Sequence, residues 1–153
     1  MDLILWRHAE AVLEQAGEDD LERALTAKGE RQAERMAEWL NQRIAHSTRV
    51  LASPARRCQQ TAKALGRKFR TVAAIGTGAG AQDLLLAARW PDAAEPVLLV
   101  GHQPTLGMAA ALVLTGAEHA WSIKKGAAWW LRYRPRDDDG HVVLQAVQSP
   151  DSL

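Results

Sequence analysis

Residues 3–11 read LILWRHAEA, a short apolar run that ends abruptly in Arg7 and His8. A continuous apolar run of this length predicts a strand buried on both faces, which is typical of a parallel sheet covered by helices. Two more such runs, 49–52 and 96–100, also stop at polar or turn-forming residues. These runs indicate the fold class, because strands buried on both faces need helices on both sides of their sheet.

Helical patterns lie between the apolar runs. Thr26 is a suitable N-cap for the first helix, and Ser53 followed by Pro54 predicts an N-cap and first position for the second. The predicted helices are 26–44, 54–65, 82–90 and 104–114. The other predicted strands are 71–75, 128–133 and 142–147, the last two joined by a turn at 137–140. Strands that alternate with helices predict an α/β fold, a three-layer sandwich whose central sheet is largely parallel.

Composition predicts one globular domain over residues 1–153. The chain is 47% hydrophobic and 24% charged, which is ordinary for a domain of this size. A net charge of +1 excludes a strongly basic nucleic-acid binder. Because no apolar run could span a bilayer and the N-terminus lacks a signal-peptide pattern, we expect a cytoplasmic protein without membrane contact. The single cysteine, Cys58, excludes an internal disulfide and is expected to be a core residue.

The ends of the three apolar runs predict an anion site. If the strands are neighbours, two imidazoles and two guanidiniums meet beyond their carboxyl ends, where ligands bind in open α/β sheets. These side chains are His8, His102, Arg7 and one of Arg56 or Arg57. The planar fork of arginine matches phosphate oxygens in pairs, and a neutral imidazole can attack phosphorus. No pair of histidines has close metal-ligand spacing, so we expect neither a metal nor a cofactor.

Four motifs in this order resemble those of one family. They are LILWRHAEA at 3–11, RALTAKG at 23–29, SPARRCQQTA at 53–62 and GHQP at 101–104. Together they resemble the histidine phosphatase superfamily, whose fold is phosphoglycerate mutase-like. The short chain and the form Ser-Pro-x-x-Arg-x-x-Gln-Thr resemble the SixA-type phosphohistidine phosphatase branch of that family.

The resemblance implies a mechanism. His8 would be the nucleophile and would form a phosphohistidine intermediate that water then hydrolyses. Arg7, Arg57 and His102 would hold the phosphoryl oxygens and the charge that develops on them. Further residues in the same motifs are expected to contact the substrate, namely Ser53, Arg23 and Gln103.

The expected general acid is missing from its usual place. Larger members of the family carry a glutamate after the third strand, whereas residues 76–82 hold no carboxylate. The nearest candidates are Asp83 and Glu10. An alkoxide leaving group needs such an acid, whereas imidazole leaves more easily from a phosphoramidate. We therefore expect the substrate to be phosphohistidine on a partner signalling protein.

Two other functions remain open at this point. One is a phosphatase for small phosphomonoesters that uses Asp83 or Glu10 as its acid. The other is a module that binds phosphate or a phosphoprotein without turnover. Binding alone would not need the nucleophile, so the presence of His8 beside Arg7 favours an enzyme.

Overall fold

The apolar runs of the sequence become the inner strands of a single sheet. The structure is a computed structural model that describes residues 1–135 and 140–153. Its strands are β1 Asp2–Arg7, β2 Arg49–Ala52, β3 Arg70–Thr71, β4 Val97–Gly101, β5 Ala128–Arg134 and β6 His141–Gln148. Its α-helices are α1 Ala27–Asn41, α2 Arg56–Lys63, α3 Ala81–Ala88 and α4 Thr105–Thr115. Short 3₁₀ turns cover Asp20–Glu22, Ala73–Ile75 and Pro150–Ser152.

The strand order places the three predicted strand ends side by side. The sheet runs β3-β2-β4-β1-β5-β6, and β1, β2, β3 and β4 pair in parallel. Of the described strands, β5 alone points the other way, because it is antiparallel to both β1 and β6. Arg7 is paired with Gly101, and Ala52 is paired with Val100. The largely parallel sheet is therefore confirmed, and the strands that carry the anion-site residues are neighbours.

Alternating side chains of the strands bury the sheet on both faces, as expected from its continuous apolar runs. Leu3 and Leu5 pack with α3 and α4, whereas Ile4 and Trp6 pack with α1 and α2. The layer formed by α1 and α2 contributes Met36, Ala37, Leu40, Cys58 and Ala62. The layer formed by α3 and α4 contributes Leu84, Ala88, Leu106, Ala109 and Ala110. This arrangement confirms the three-layer α/β sandwich and the core position of Cys58.

The second helix begins later than the sequence predicts. Its N-cap position is Ala55, which has no side chain to cap the helix, and its first residue is Arg56. The prediction of Ser53 as N-cap was wrong, although its hydroxyl does accept a hydrogen bond from the Ala55 N–H at 3.2 Å. The hydroxyl also faces His102 from the end of β2, so Ser53 joins two strand ends rather than starting a helix.

The third strand is much shorter than predicted. Only Arg70 and Thr71 form it, and the apolar stretch 73–75 makes a 3₁₀ turn instead. Alanine is depleted in strands, and the turn carries Ile75 into the core between the sheet and α3. Of the turn predicted at 137–140, residues 137–139 lie outside the described residues. None of the described helices is long and apolar enough to cross a membrane.

The first helix packs closely on the segment that follows β1. Thr26 caps it by accepting a hydrogen bond from the Gly29 N–H, as predicted. A Cβ added at Gly29 would overlap the backbone carbonyl oxygen of Glu10. The Glu10 N–H donates to Gln32 and its carbonyl accepts from the Thr26 N–H, so this segment has little freedom to move away.

We therefore expect Gly29→Ala to destabilise the protein by about 2 kcal/mol or more, as overpacking against backbone does. Urea unfolding of the variant and the wild type measures the difference. Gly78→Ala is the matched control, because nothing lies within 4 Å of a Cβ added there. Equal stability of the Gly29→Ala and wild-type proteins would contradict the close approach.

Candidate active site

A cavity of about 280 Å³ opens beyond the carboxyl ends of the parallel strands. Its lining is dominated by basic and polar side chains: Arg7, His8, Ala11, Leu13, Asp20, Arg23, Arg57, Thr77, His102, Gln103 and Lys125. The structure thus brings together His8, His102, Arg7 and Arg57. Arg56, the alternative to Arg57, is exposed and does not line the cavity.

His8 is held in the tautomer that a nucleophile needs. Its Nδ1 lies 2.8 Å from the carbonyl oxygen of Ala9, and a carbonyl can only accept a hydrogen bond. Nδ1 therefore carries the proton, which leaves the lone pair on Nε2. Burial lowers the pKa of His8 to about 3, so the ring is neutral at pH 7.

Ala9, whose carbonyl orients His8, is anchored to the second helix through its N–H group. The Ala9 N–H donates to the hydroxyl of Thr61 at 3.1 Å, and that hydroxyl donates to the carbonyl of Arg57 at 2.7 Å. Thr61 is fully buried. One side chain of α2 therefore links the peptide next to the imidazole to the residue that carries the guanidinium.

His102 lies beside His8 and is neutral for the same reason. The centroids of the two rings are 5.4 Å apart in an edge-to-face arrangement. The hydroxyl of Ser53 is 2.7 Å from Nε2 of His102 and fixes the orientation of the ring. Burial lowers the pKa of His102 to about 4, and the nearby charge of Arg57 acts in the same direction.

These two histidines should make the protein less stable in acid. In the unfolded chain each imidazole takes up a proton near pH 6.5, whereas in the folded protein the pKa values are about 3 and about 4. Below pH 6.5 the unfolded state therefore binds more protons, and the free energy of unfolding falls by up to about 1.4 kcal/mol per pH unit for each ring.

Urea unfolding at pH 7, 6 and 5 measures this slope, since carboxylates contribute mainly below about pH 4. The double variant His8→Asn/His102→Asn should flatten it, and His46→Asn, which alters an exposed ring, should not. A wild-type stability that is constant between pH 7 and pH 5 would contradict the burial of neutral rings.

Two guanidiniums are fixed in the cavity with donors to spare. Arg7 donates from Nη1 to the Ile123 carbonyl at 2.9 Å, and Arg57 donates from Nη1 to the Asp20 carbonyl at 2.8 Å. In both arginines Nε is buried and has no partner among the described residues. A buried N–H group without an acceptor is costly, so an acceptor that came within reach of either Nε would be bound favourably.

Asp20 belongs to the site and was not predicted from the sequence. Its carboxylate accepts from Nη2 of Arg57 at 3.1 Å and from Nε of Arg23 at 2.8 Å. Burial alone would raise the pKa of Asp20, but the hydrogen bonds from these two arginines outweigh it and lower the pKa. The neighbouring Asp19 caps the 3₁₀ turn that carries Asp20, and an Asp-Asp pair before a turn is the one signal the sequence offers.

The three expected substrate contacts take different positions. Arg23 lines the cavity while it pairs with Asp20. Gln103 also lines the cavity, but its side-chain amide is occupied, because it donates to the Trp121 carbonyl and accepts from the Gly107 N–H. Ser53 is fully buried and does not line the cavity. The prediction that Ser53 contacts substrate is corrected, since its hydroxyl holds His102 instead.

Neither candidate acid lies in the cavity lining. Asp83 is exposed at the start of α3, where its carboxylate accepts from the Gly80 N–H at 2.8 Å. The Glu10 carboxylate accepts from the Thr26 hydroxyl at 2.7 Å. Both expectations are corrected for the same reason, because each carboxylate serves the N-terminus of a helix. Within residues 1–135 and 140–153, no group of three or more His, Cys, Asp or Glu side chains is placed to hold a metal ion.

Comparison with known proteins agrees with the motifs. The sequence model of the histidine phosphatase superfamily (branch 1) matches residues 3–77. An uncharacterized protein of Picosynechococcus sp. is 34% identical in an alignment 142 positions long that covers 86% of this chain and 85% of the relative. The family resemblance read from the four motifs is therefore confirmed.

Solved structures share the fold over nearly the whole chain. The putative phosphohistidine phosphatase SixA of Agrobacterium tumefaciens has a TM-score of 0.79 and 24% identity, with 97% of each chain covered. The putative phosphohistidine phosphatase SixA of Nakamurella multipartitia has a TM-score of 0.76 and 26% identity, covering 97% of this chain and 95% of that one. A putative alpha-ribazole-5'-P phosphatase of Escherichia coli has a TM-score of 0.71 and 20% identity, with 98% of each covered.

Proposed function

Because this chain belongs to the histidine phosphatase superfamily, we propose that it removes the phosphoryl group from phosphohistidine on a partner protein. The coarser activity, phosphatase, follows from the family. The finer one is supported by one observation, which is that the described part of the chain gives the cavity two neutral imidazoles and three arginines but no carboxyl group able to donate a proton.

The proposed reaction has two displacements at phosphorus. Nε2 of His8 attacks, the bond from phosphorus to the departing imidazole nitrogen breaks, and the phosphoryl group passes to His8. Water then attacks phosphorus and the bond to Nε2 breaks, which returns His8 to its neutral form. Inorganic phosphate leaves with the protons of that water and exchanges them with solvent. Arg7 and Arg57 hold the phosphoryl oxygens, and His102 donates to the charge that develops on them.

The charge state of Asp20 supports a phosphorus–nitrogen bond as the target. Among residues 1–135 and 140–153 it is the one carboxylate in the cavity lining, and its pairing with Arg23 and Arg57 keeps it ionised. An ionised carboxylate cannot give a proton to an alkoxide. Imidazole whose other nitrogen is protonated leaves without that help, so this cavity suits a phosphoramidate better than an alkyl phosphate.

We expect kcat/KM to be highest for a histidine-phosphorylated protein and lowest for an alkyl phosphate, with an activated aryl phosphate between them. The alkyl ester should lose most of the ~10²–10⁴-fold that a general acid supplies. The three substrates are compared at one pH, in the wild type and in Asp83→Asn, Glu10→Gln and Asp20→Asn. The first two variants should leave the order unchanged, because their carboxylates lie outside the cavity.

The same experiment decides the alternatives. An alkyl ester as best substrate, abolished by Asp20→Asn, would make the protein a phosphomonoester phosphatase that uses Asp20 as its acid. Tight phosphate binding without turnover of any of the three substrates would make it a binding module.

A further inference from the structure

Large apolar side chains are exposed on the chain segments that line the cavity through Ala11, Leu13 and Asp20. Val12, Leu13 and Leu21 are 42%, 82% and 41% exposed, and we call these three residues the apolar rim. Leu13 is at the same time part of the cavity lining. The lining also contains the polar side chains of Thr77 and Lys125.

The apolar rim is held in place by the active site itself. The Val12 N–H donates to the Ala24 carbonyl at 2.9 Å, and Arg23 donates from Nη1 to the Val12 carbonyl at 2.9 Å. At the other end of the loop, Arg57 donates to the carbonyl of Asp20, next to Leu21. The exposed side chains are therefore presented from a hydrogen-bonded loop, so a partner would find them already in position.

We propose that the apolar rim is the docking surface for the protein that carries the phosphohistidine, through apolar side chains beside that residue. This inference rests on the proposed function. A free phosphorylated small molecule that fills a cavity of about 280 Å³ would leave Val12 and Leu21 in water. A folded partner whose phosphohistidine enters the cavity brings its own surface against the rim, and four basic side chains in the lining attract its phosphoryl group.

A designed substrate tests this without knowledge of the natural partner. The probe is a helical bundle with one surface histidine phosphorylated by phosphoramidate, made in two forms with Leu or Gln at positions i+3 and i+4 from that histidine, on the same helix face. The enzyme variant is Val12→Ser/Leu21→Ser, which leaves the cavity-lining Leu13 untouched. The matched control is Leu86→Ser/Val147→Ser, which removes side chains that are 75% and 51% exposed on α3 and β6.

We expect the wild type and the control to prefer the Leu-flanked bundle by about fivefold or more in kcat/KM, as the burial of about one methylene group or more would give. The Val12→Ser/Leu21→Ser variant should lose the preference but hydrolyse free phosphohistidine at the wild-type rate. A preference that survives in this variant would overturn the docking surface. The proposal would also be overturned if a second copy of the chain covered the rim. In that case the Val12→Ser/Leu21→Ser variant would differ from the wild type in sedimentation coefficient. If the wild type hydrolyses neither bundle nor free phosphohistidine, the proposed function has failed instead.

Discussion

His8→Asn should abolish both turnover and covalent labelling by a ³²P-phosphohistidine protein, with a loss in kcat on the order of 10⁴–10⁶-fold, as for removal of a nucleophile. The reason is geometric, because His8 lines the cavity and its bond from Nδ1 to the Ala9 carbonyl leaves the lone pair on Nε2. Asparagine keeps a donor that can bond the Ala9 carbonyl, so the local backbone should remain in place.

The label identifies the residue by its chemistry. A phosphohistidine is labile in acid and stable in base, so acid and base quenching of the wild type should give low and high yields of labelled protein. His46→Asn, which changes an exposed histidine, should label as the wild type does. A label that persists in His8→Asn and disappears in His102→Asn would mean that His102, and not His8, is the nucleophile.

Much of this site could be predicted because it depends on strand ends. The apolar runs before Arg7, Ser53 and His102 identify buried strands, and parallel strands present their carboxyl ends at one edge. Once β4 lies between β2 and β1, the two histidines have to meet. The order of the strands in the sheet is therefore enough to explain why His8 and His102 lie together.

The acidic side chains could not be assigned in this way. The sequence places Asp83 and Glu10 close to the site along the chain. In the structure Asp83 instead accepts from the Gly80 N–H at the start of α3, and Glu10 accepts from the hydroxyl of Thr26, the N-cap of α1. Asp20 lies in a stretch without periodicity, and it enters the cavity only because a short 3₁₀ turn brings it to Arg57. Such a contact depends on the path of a loop, which spacing does not specify. Ser53 was misassigned for a related reason. Its hydroxyl could contact either the substrate or a neighbouring side chain, and in the structure it contacts His102.

Arg57→Ala should cost about 2.7–4 kcal/mol of transition-state stabilisation, similar to the loss of one strong oxyanion donor, whereas Arg56→Ala should be nearly neutral. The two residues are adjacent in α2 and about 100° apart around the helix, so one guanidinium is buried in the cavity lining and the other faces solvent. The adjacent pair is therefore its own matched control, with the same residue type in the same turn of one helix.

Arg57→Lys separates the charge from the shape of the guanidinium. A lysine keeps the positive charge but loses the planar fork, so its activity should remain well below that of the wild type. Because Arg57 also pairs with Asp20, part of the loss could come from an unpaired carboxylate, and Arg57→Ala/Asp20→Asn removes that contribution. If kcat/KM recovers in the double variant, Arg57 acts by neutralising Asp20. If the loss remains, the guanidinium itself holds the phosphoryl group, which is the result we expect because Arg57 lines the cavity together with His8.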